Sequence, residues 1–172
     1  AYAYAPDFWS SYYYASAAAR MAHCLKRFSR EASEEYRISA EKAFAWAEKA
    51  YAEGLSAEGH KWTRRAREAV KLERENAACD LFRLTLDDRY DQIYREQRSE
   101  KNFDAAFAYT TLPNGIGDER IKRICKVEII KAAETALENG EKLPYRLTSE
   151  RLASERVNAW SRFCTIPRNT QL

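Results

Sequence analysis

The sequence predicts an all-α protein built from antiparallel helical hairpins. Gly and Pro number only 5 and 4 among 172 residues, where an average chain of this length would hold roughly 12 and about 9. A β-sandwich or barrel needs turn residues at every hairpin, so the scarcity argues against those classes. Alanine recurs along the whole chain, and apolar residues fall at three- and four-residue steps, the helical period. Hydrophobic residues at 45% and charged residues at 32% suit a packed core and argue against disorder.

The first helix is predicted over 10–29, with Asp7 or Ser10 as its N-cap. Ala15, Ala18, Ala19, Ala22 and Leu25 share one side, and Tyr12 and Tyr14 widen the apolar surface. So many small residues let neighbouring backbones approach closely, the profile of an inner helix. The second helix is predicted from Ser33, with Glu34 and Glu35 in a first turn whose dipole favours them. Tyr36, Ala40, Ala43, Phe44, Ala47 and Tyr51 form its apolar stripe. Arg37, Glu41, Lys42, Glu48 and Lys49 form its wet side, and Gly54 is the stop signal.

A linker with Gly59 and Trp62 leads to a helix over 63–85, where Ala77 and Ala78 are backed by Leu81, Phe82 and Leu84. Asp87 and Asp88 cap a short helix over 89–98, and Asn102 opens another that ends at Leu112, Pro113, Asn114 and Gly115. Gly117 and Asp118 start a long amphipathic helix. Its stripe is Ile121, Ile124, Cys125, Ile129, Ala132, Ala133 and Leu137, with Glu128 discordant, and Asn139-Gly140 stops it. A last helix is predicted over 148–163, followed by an extended tail around Pro167. Small apolar helices alternate with charged amphipathic ones, which suits an inner layer covered by an outer one. There is no fixed-length repeat of the kind that marks a solenoid array.

Composition narrows the function classes. A net charge of +3 from 29 basic and 26 acidic residues is too balanced for a nucleic-acid footprint. The charges interleave, as in Arg64, Arg65, Arg67, Glu68, Lys71, Glu73, Arg74 and Glu75, which is the pattern of a solvated helix face. No apolar run is long enough to span a membrane, and residues 1–6 lack the basic and apolar regions of a signal peptide. The absent initial Met suggests a processed or excised chain. Cys24, Cys79, Cys125 and Cys164 are widely spaced, a pattern that favours buried free thiols over a disulfide pair. His23 and His60 have no His or Cys at ligand spacing, so no metal site and no cofactor are expected. His23 and Cys24 are adjacent on a helix and do not face each other, which leaves no nucleophilic dyad.

Four segments carry a resemblance. They are APDFWSSYYYASAAARMAHCLKRF; EYRISAEKAFAWAEKAYAEG, with Phe44 and Trp46 as its aromatic pair; ERENAACDLFRLTLDDRYDQI; and AFAYTTLPNG with the later IIKAAETALENG. Their order and spacing resemble the middle of the family 9 glycoside hydrolases, the cellulase and endoglucanase group. In the third segment Glu73, Arg74, Ala77, Ala78, Asp80, Leu81, Phe82, Arg83, Thr85 and Tyr90 fall in the family's register. The chain departs from the pattern at Leu72, where the family has a carboxylate, at Asn76, where it has Trp, and at Leu86, where it has a turn glycine.

The resemblance implies an α/α toroid of six-hairpin type, secretion or a periplasmic location, and a polysaccharide or oligosaccharide substrate. It implies hydrolysis of β-1,4-glucan or a related glycan with inversion. The family's motifs for the general base and general acid are absent from this sequence. Residues 1–172 are therefore expected to be one helical region, a central fragment of a larger catalytic domain. It would be inactive alone, carry no catalytic residue, and have the rest of that domain as its partner. Exposed flanks of inner helices would also favour self-association.

Glycoside hydrolysis needs two carboxyl groups flanking one bond. Glu73 and Asp80 lie seven residues apart on one helix face, on the order of 10 Å, which suits either an inverting pair or a structural ion pair. Trp9, with Tyr12, Tyr13 and Tyr14, supplies flat rings that either stack on sugar faces or pack between helices. Asp7 is a helix cap or an acceptor for sugar hydroxyls, and Arg74 an ion-pair partner or a substrate ligand. Asp7, Trp9, Glu73 and Arg74 are thus the candidate substrate-binding residues. Two rival readings are a non-catalytic helical protein-interaction module and a different α/α-toroid polysaccharide-degrading enzyme, such as a lyase.

Overall fold

The structure, a computed structural model, describes residues 7–56, 64–100 and 102–142. Among the described residues there are six helices and no strand: α1 (Phe8–Leu25), α2 (Arg30–Ser56), α3 (Arg64–Thr85), α4 (Asp88–Gln97), α5 (Phe103–Thr110) and α6 (Glu119–Lys142). The linker around Gly59 and Trp62, His60, the helix expected over 148–163, Cys164 and the tail lie outside the described residues. The chain divides into two compact units, Ala1–Glu119 and Arg120–Leu172.

Side-chain caps set most helix starts. Asp7 accepts from Ser10 N and opens α1. Asp87 accepts from Arg89 N and opens α4, and Asn102 accepts from Ala105 N and opens α5. The second helix begins earlier than Ser33. Ser29 Oγ accepts from Ala32 N, so Ser29 provides the cap and Ser33 lies inside the first turns, where its Oγ donates to Ala22 O. At its other end α2 passes through Gly54 to Ser56. An interior glycine costs only about 1 kcal/mol, less than a firm stop requires.

In the first unit α1 packs against α2 and α3, and α3 packs in turn against α4 and α5. Phe8 meets Tyr51 and Tyr12 meets Phe44, so α1 and α2 run antiparallel. Ser16 bonds Asp80 and Lys26 bonds Leu84 O, so α1 and α3 run parallel. Cys79 Sγ donates to Ala105 O and Phe82 stacks on Tyr109, which gives α3 and α5 the same direction. The result is a row of parallel helices, α1, α3 and α5, with α2 and α4 returning behind them and touching through Phe44 and Tyr90.

Ala15, Ala18, Ala19 and Ala22 of α1 are buried, as are Ala77 and Ala78 of α3. Small side chains at these seams allow close approach, and Tyr12, Phe44, Phe82, Tyr94 and Tyr109 fill the space around them. Tyr14 departs from expectation. It is exposed, with its hydroxyl hydrogen-bonded to Ser39 Oγ. Cys79 and Cys125 are buried free thiols, whereas Cys24 is free but exposed, because its position on α1 faces away from both α2 and α3.

In the second unit, α6 continues through Asn139-Gly140 to Lys142. Its expected stripe is only partly realised. Cys125 is buried, but Ile124 and Leu137 are exposed, and the buried neighbour of Cys125 is Lys122, three residues earlier on the same face.

Two left-handed residues have opposite consequences. Leu86 follows α3 at φ 60, donates its N–H to Phe82 O and leaves its side chain exposed. Gly117 sits at φ +75, and a Cβ there would lie 2.8 Å from the Tyr109 hydroxyl and 3.3 Å from Phe82. We expect Leu86→Gly to stabilise the protein by up to about 1 kcal/mol, because relief of left-handed strain exceeds the added chain entropy. Gly117→Ala should destabilise it by about 1–3 kcal/mol. Urea midpoints of the two variants, moving in opposite directions, check both.

Candidate functional site

The N-terminal end of α1 is where the structure brings the candidate residues closest. Both Asp7 carboxylate oxygens are engaged by Ser10, Oδ1 by the backbone N–H at 2.8 Å and Oδ2 by the hydroxyl at 2.7 Å. Asp7 therefore acts as a cap. In the first two turns of the helix, Trp9 and Tyr13 lie on the same exposed face with centroids 6.1 Å apart and planes 15° from parallel. Their four-residue spacing stacks them along the helix axis. Trp9 is 43% exposed and Tyr13 57%, so both present ring surface to solvent.

Arg74 approaches the same end of α1 from α3, through a carboxylate on α2. Its Nε and Nη2 donate to Glu48 Oε1 and Oε2 at 2.6 and 2.7 Å, a bidentate pair. The Tyr12 hydroxyl donates to the same Oε1 at 2.5 Å. One carboxylate thus ties α1, α2 and α3, and Arg74 has the ion-pair role of its two alternatives. By pattern Glu48 belongs to the wet side of α2, yet it is half-buried because Arg74 and Tyr12 converge on it. Burial raises the Glu48 carboxyl, but the hydrogen bonds from Arg74 and Tyr12 outweigh it and hold the group below its ordinary value. Tyr12 moves the opposite way. Burial, then its bond to the Glu48 carboxylate, push its phenol far above the usual range.

Glu73, the neighbour of Arg74, is half-buried on α3 and forms no hydrogen bond or ion pair with the described residues. Asp80, two turns further on, has a side chain only 1% exposed. Its Oδ2 accepts from Ser16 Oγ at 2.7 Å and Arg20 Nε at 2.6 Å, and its Oδ1 accepts from Arg83 Nη2 at 3.2 Å. A carboxylate held by two guanidinium groups is a structural ion cluster, not a free base. A third carboxylate repeats the device. Asp91 accepts from the Tyr109 hydroxyl at 2.7 Å and pairs with Arg95 Nε at 3.1 Å. The Tyr109 oxygen in turn accepts from Asp118 N at 2.8 Å, which fixes the loop after α5. Burial foremost, aided by the bond to Asp91, raises the Tyr109 phenol.

Among the described residues no group of three or more His, Cys, Asp or Glu side chains could hold a metal ion. No described helix is long and apolar enough to cross a membrane. The sequence singled out Trp9 but not its pairing with Tyr13, nor the Tyr12–Glu48–Arg74 tie. The four-residue step between Trp9 and Tyr13 was the available signal for the first, whereas the second depends on how three helices meet.

Fold and site together define an all-α array of hairpins with an exposed aromatic pair at one end. The chain matches no family model, no curated protein and no solved structure.

The lowered Glu48 carboxyl gives a signed pH dependence. Its stabilising contribution is present above the ordinary carboxylate value and is lost as pH falls through the lower folded value. Glu48→Gln should therefore cost about 1–3 kcal/mol at neutral pH and much less in strong acid. Urea unfolding of both proteins at neutral pH and near pH 3 tests this; a cost that does not shrink with acid would contradict it.

Proposed function

We propose that the α1–α5 array is a sector of an α/α-toroid glycoside hydrolase domain of endoglucanase type. Its parent would cleave β-1,4-glucan or a related glycan with inversion and act outside the cytoplasm. The observation that carries the reading is the placement of the Trp9–Tyr13 pair. It stands exposed at the start of α1, the first of three parallel helices backed by α2 and α4. An inner layer with its N-terminal ends on one side is what a toroid cleft is built from, and flat exposed rings suit the apolar faces of sugars. The resembling segments fall on these helices, apart from IIKAAETALENG, which lies on α6.

The chain supplies scaffold and cleft surface in this reading, and the remainder of the domain supplies the reacting groups. A general acid must be held protonated near neutrality. Glu48 binds Arg74 instead, which favours its ionised form, and Asp80 and Asp91 are taken up in structural ion pairs with arginine. The purified chain is expected to release no reducing sugar from soluble β-glucan; clear release, abolished by Glu73→Gln, would sink this. Calorimetric titration with a soluble glycan should show binding that Trp9→Ala weakens about 3- to 10-fold, the worth of one aromatic contact. Absence of binding, together with recovery of a tight protein partner, would favour a helical interaction module instead.

A further inference from the structure

We propose that the exposed face of α1 is a track for an acidic glycan. Trp9 and Tyr13 would lie against sugar rings, and Arg20, with Arg83 beside it, would receive a carboxylate or sulfate substituent. This rests on the carbohydrate reading above and names the substrate class.

Steps of four and seven residues keep positions on one side of a helix. Trp9, Tyr13 and Arg20 are linked by such steps on α1, so the aromatic pair leads directly to a guanidinium group, and the exposed Arg27 follows in the turn after the helix. Ala17 lies between them, exposed and small, and leaves the face open. The rise from Tyr13 to Arg20 is about 10 Å, a span that a short oligosaccharide bridges.

The cationic end is built rather than scattered. Asp80 fixes the Arg20 guanidinium through Nε at 2.6 Å, and the two Nη groups of Arg20 have no acceptor among the described residues. The Arg20 side chain is 43% exposed. Arg83 shares the same carboxylate through Nη2 with its side chain largely buried, so it adds positive charge behind Arg20 rather than a further donor at the surface. Lys26 Nζ is held nearby on Leu84 O at 2.9 Å. His23 lies between Arg20 and Lys26 at three-residue steps.

Asp80 and, from α5, Asp104 act on Arg20, while Arg83, Lys26 and Arg27 act on His23 three residues further along, so this region holds four cations against two carboxylates. The field at His23 has the corresponding sign. Burial first, then the charges of Arg83 and Lys26, lower its imidazole despite the opposing charge of Asp80. A neutral glucan has no use for this excess of positive charge, whereas a uronic acid or sulfated sugar matches it.

The test uses the whole chain and two probes of equal length, an oligogalacturonate and a cello-oligosaccharide, titrated by calorimetry at low and high salt. The acidic probe is expected to bind about tenfold tighter, the worth of a charged hydrogen bond. High salt and Arg20→Gln should each remove that advantage, while Trp9→Ala should weaken both probes. Arg20→Gln also removes a partner of Asp80, so Arg27→Gln, at an exposed position, serves as a second variant expected to lower acidic binding selectively. Thermal melts verify that each variant is folded. Equal affinity for the two sugars would overturn the acidic preference and leave the carbohydrate reading standing. Binding of neither would overturn both. Tighter binding of an oligothymidylate, with the same dependence on Arg20, would overturn the glycan assignment in favour of single-stranded nucleic acid.

Discussion

The first unit depends on how closely α1 is held between α2 and α3. Ala15, Ala18, Ala19 and Ala22 on one partner, with Ala77 and Ala78 on the other, leave little side-chain volume at the seams. Close backbones bring dispersion contacts over the whole helix length. They also bring polar groups out of water, and those groups need partners at fixed positions. Ser16 and Asp80 lie at the seam for this reason, and their bond sets the register of α1 on α3.

Three carboxylates solve the resulting problem in the same way. Asp80 takes the Ser16 hydroxyl with Arg20 and Arg83, Glu48 takes the Tyr12 hydroxyl with Arg74, and Asp91 takes the Tyr109 hydroxyl with Arg95. In each case one hydroxyl and at least one guanidinium satisfy a carboxylate that packing has partly or wholly removed from water. Such clusters add little net stability relative to apolar packing, but leaving one half unpaired is costly. Their effect is therefore to penalise misregistered arrangements: a slide of α1 along α3 would strand Asp80, and a slide of α2 would strand Arg74. Gly117 extends the logic to a loop, because only a residue without a Cβ lets the chain pass close enough for Asp118 N to reach the Tyr109 oxygen.

The helices themselves were largely legible. Asp7, Asp87 and Asn102 announced three starts, since a capping side chain acts on its own next turn and needs no tertiary information. The inner character of α1 was visible in its alanines for the same local reason. What the pattern missed was set by competition or by distance. Ser29 and Ser33 are both acceptable caps, and the choice between them is made by Ala22 O, which claims the Ser33 hydroxyl. Gly54 and Gly140 are stop signals that the surrounding helix formers override. Glu48 has the sequence context of a solvated residue, and only the arrival of Arg74 from 26 positions away makes it a hub. Of the candidate site, Trp9 was legible because a tryptophan beside three tyrosines is unusual in any helix, although its exposure was not; Arg74 stands out by register and Glu73 by its step to Asp80, and their tertiary neighbours could not be read from either.

An inner helix raises a further question about its third side. A chain selected only to pack α1 between two partners would finish the remaining face with the lysine and glutamate that surface α2. That face instead runs from Trp9 and Tyr13, past Ala17, to Arg20, with no acidic side chain among those four positions. Lysine and glutamate keep a surface soluble at little cost, whereas exposed aromatic rings add solvent-facing apolar area and gain from it only when something covers them. Arginine in place of lysine likewise adds a planar donor set that matters where carboxylate or sulfate groups are recognised. The scaffold alone therefore does not account for this composition, and the proposed ligand, with flat apolar faces and anionic substituents, would.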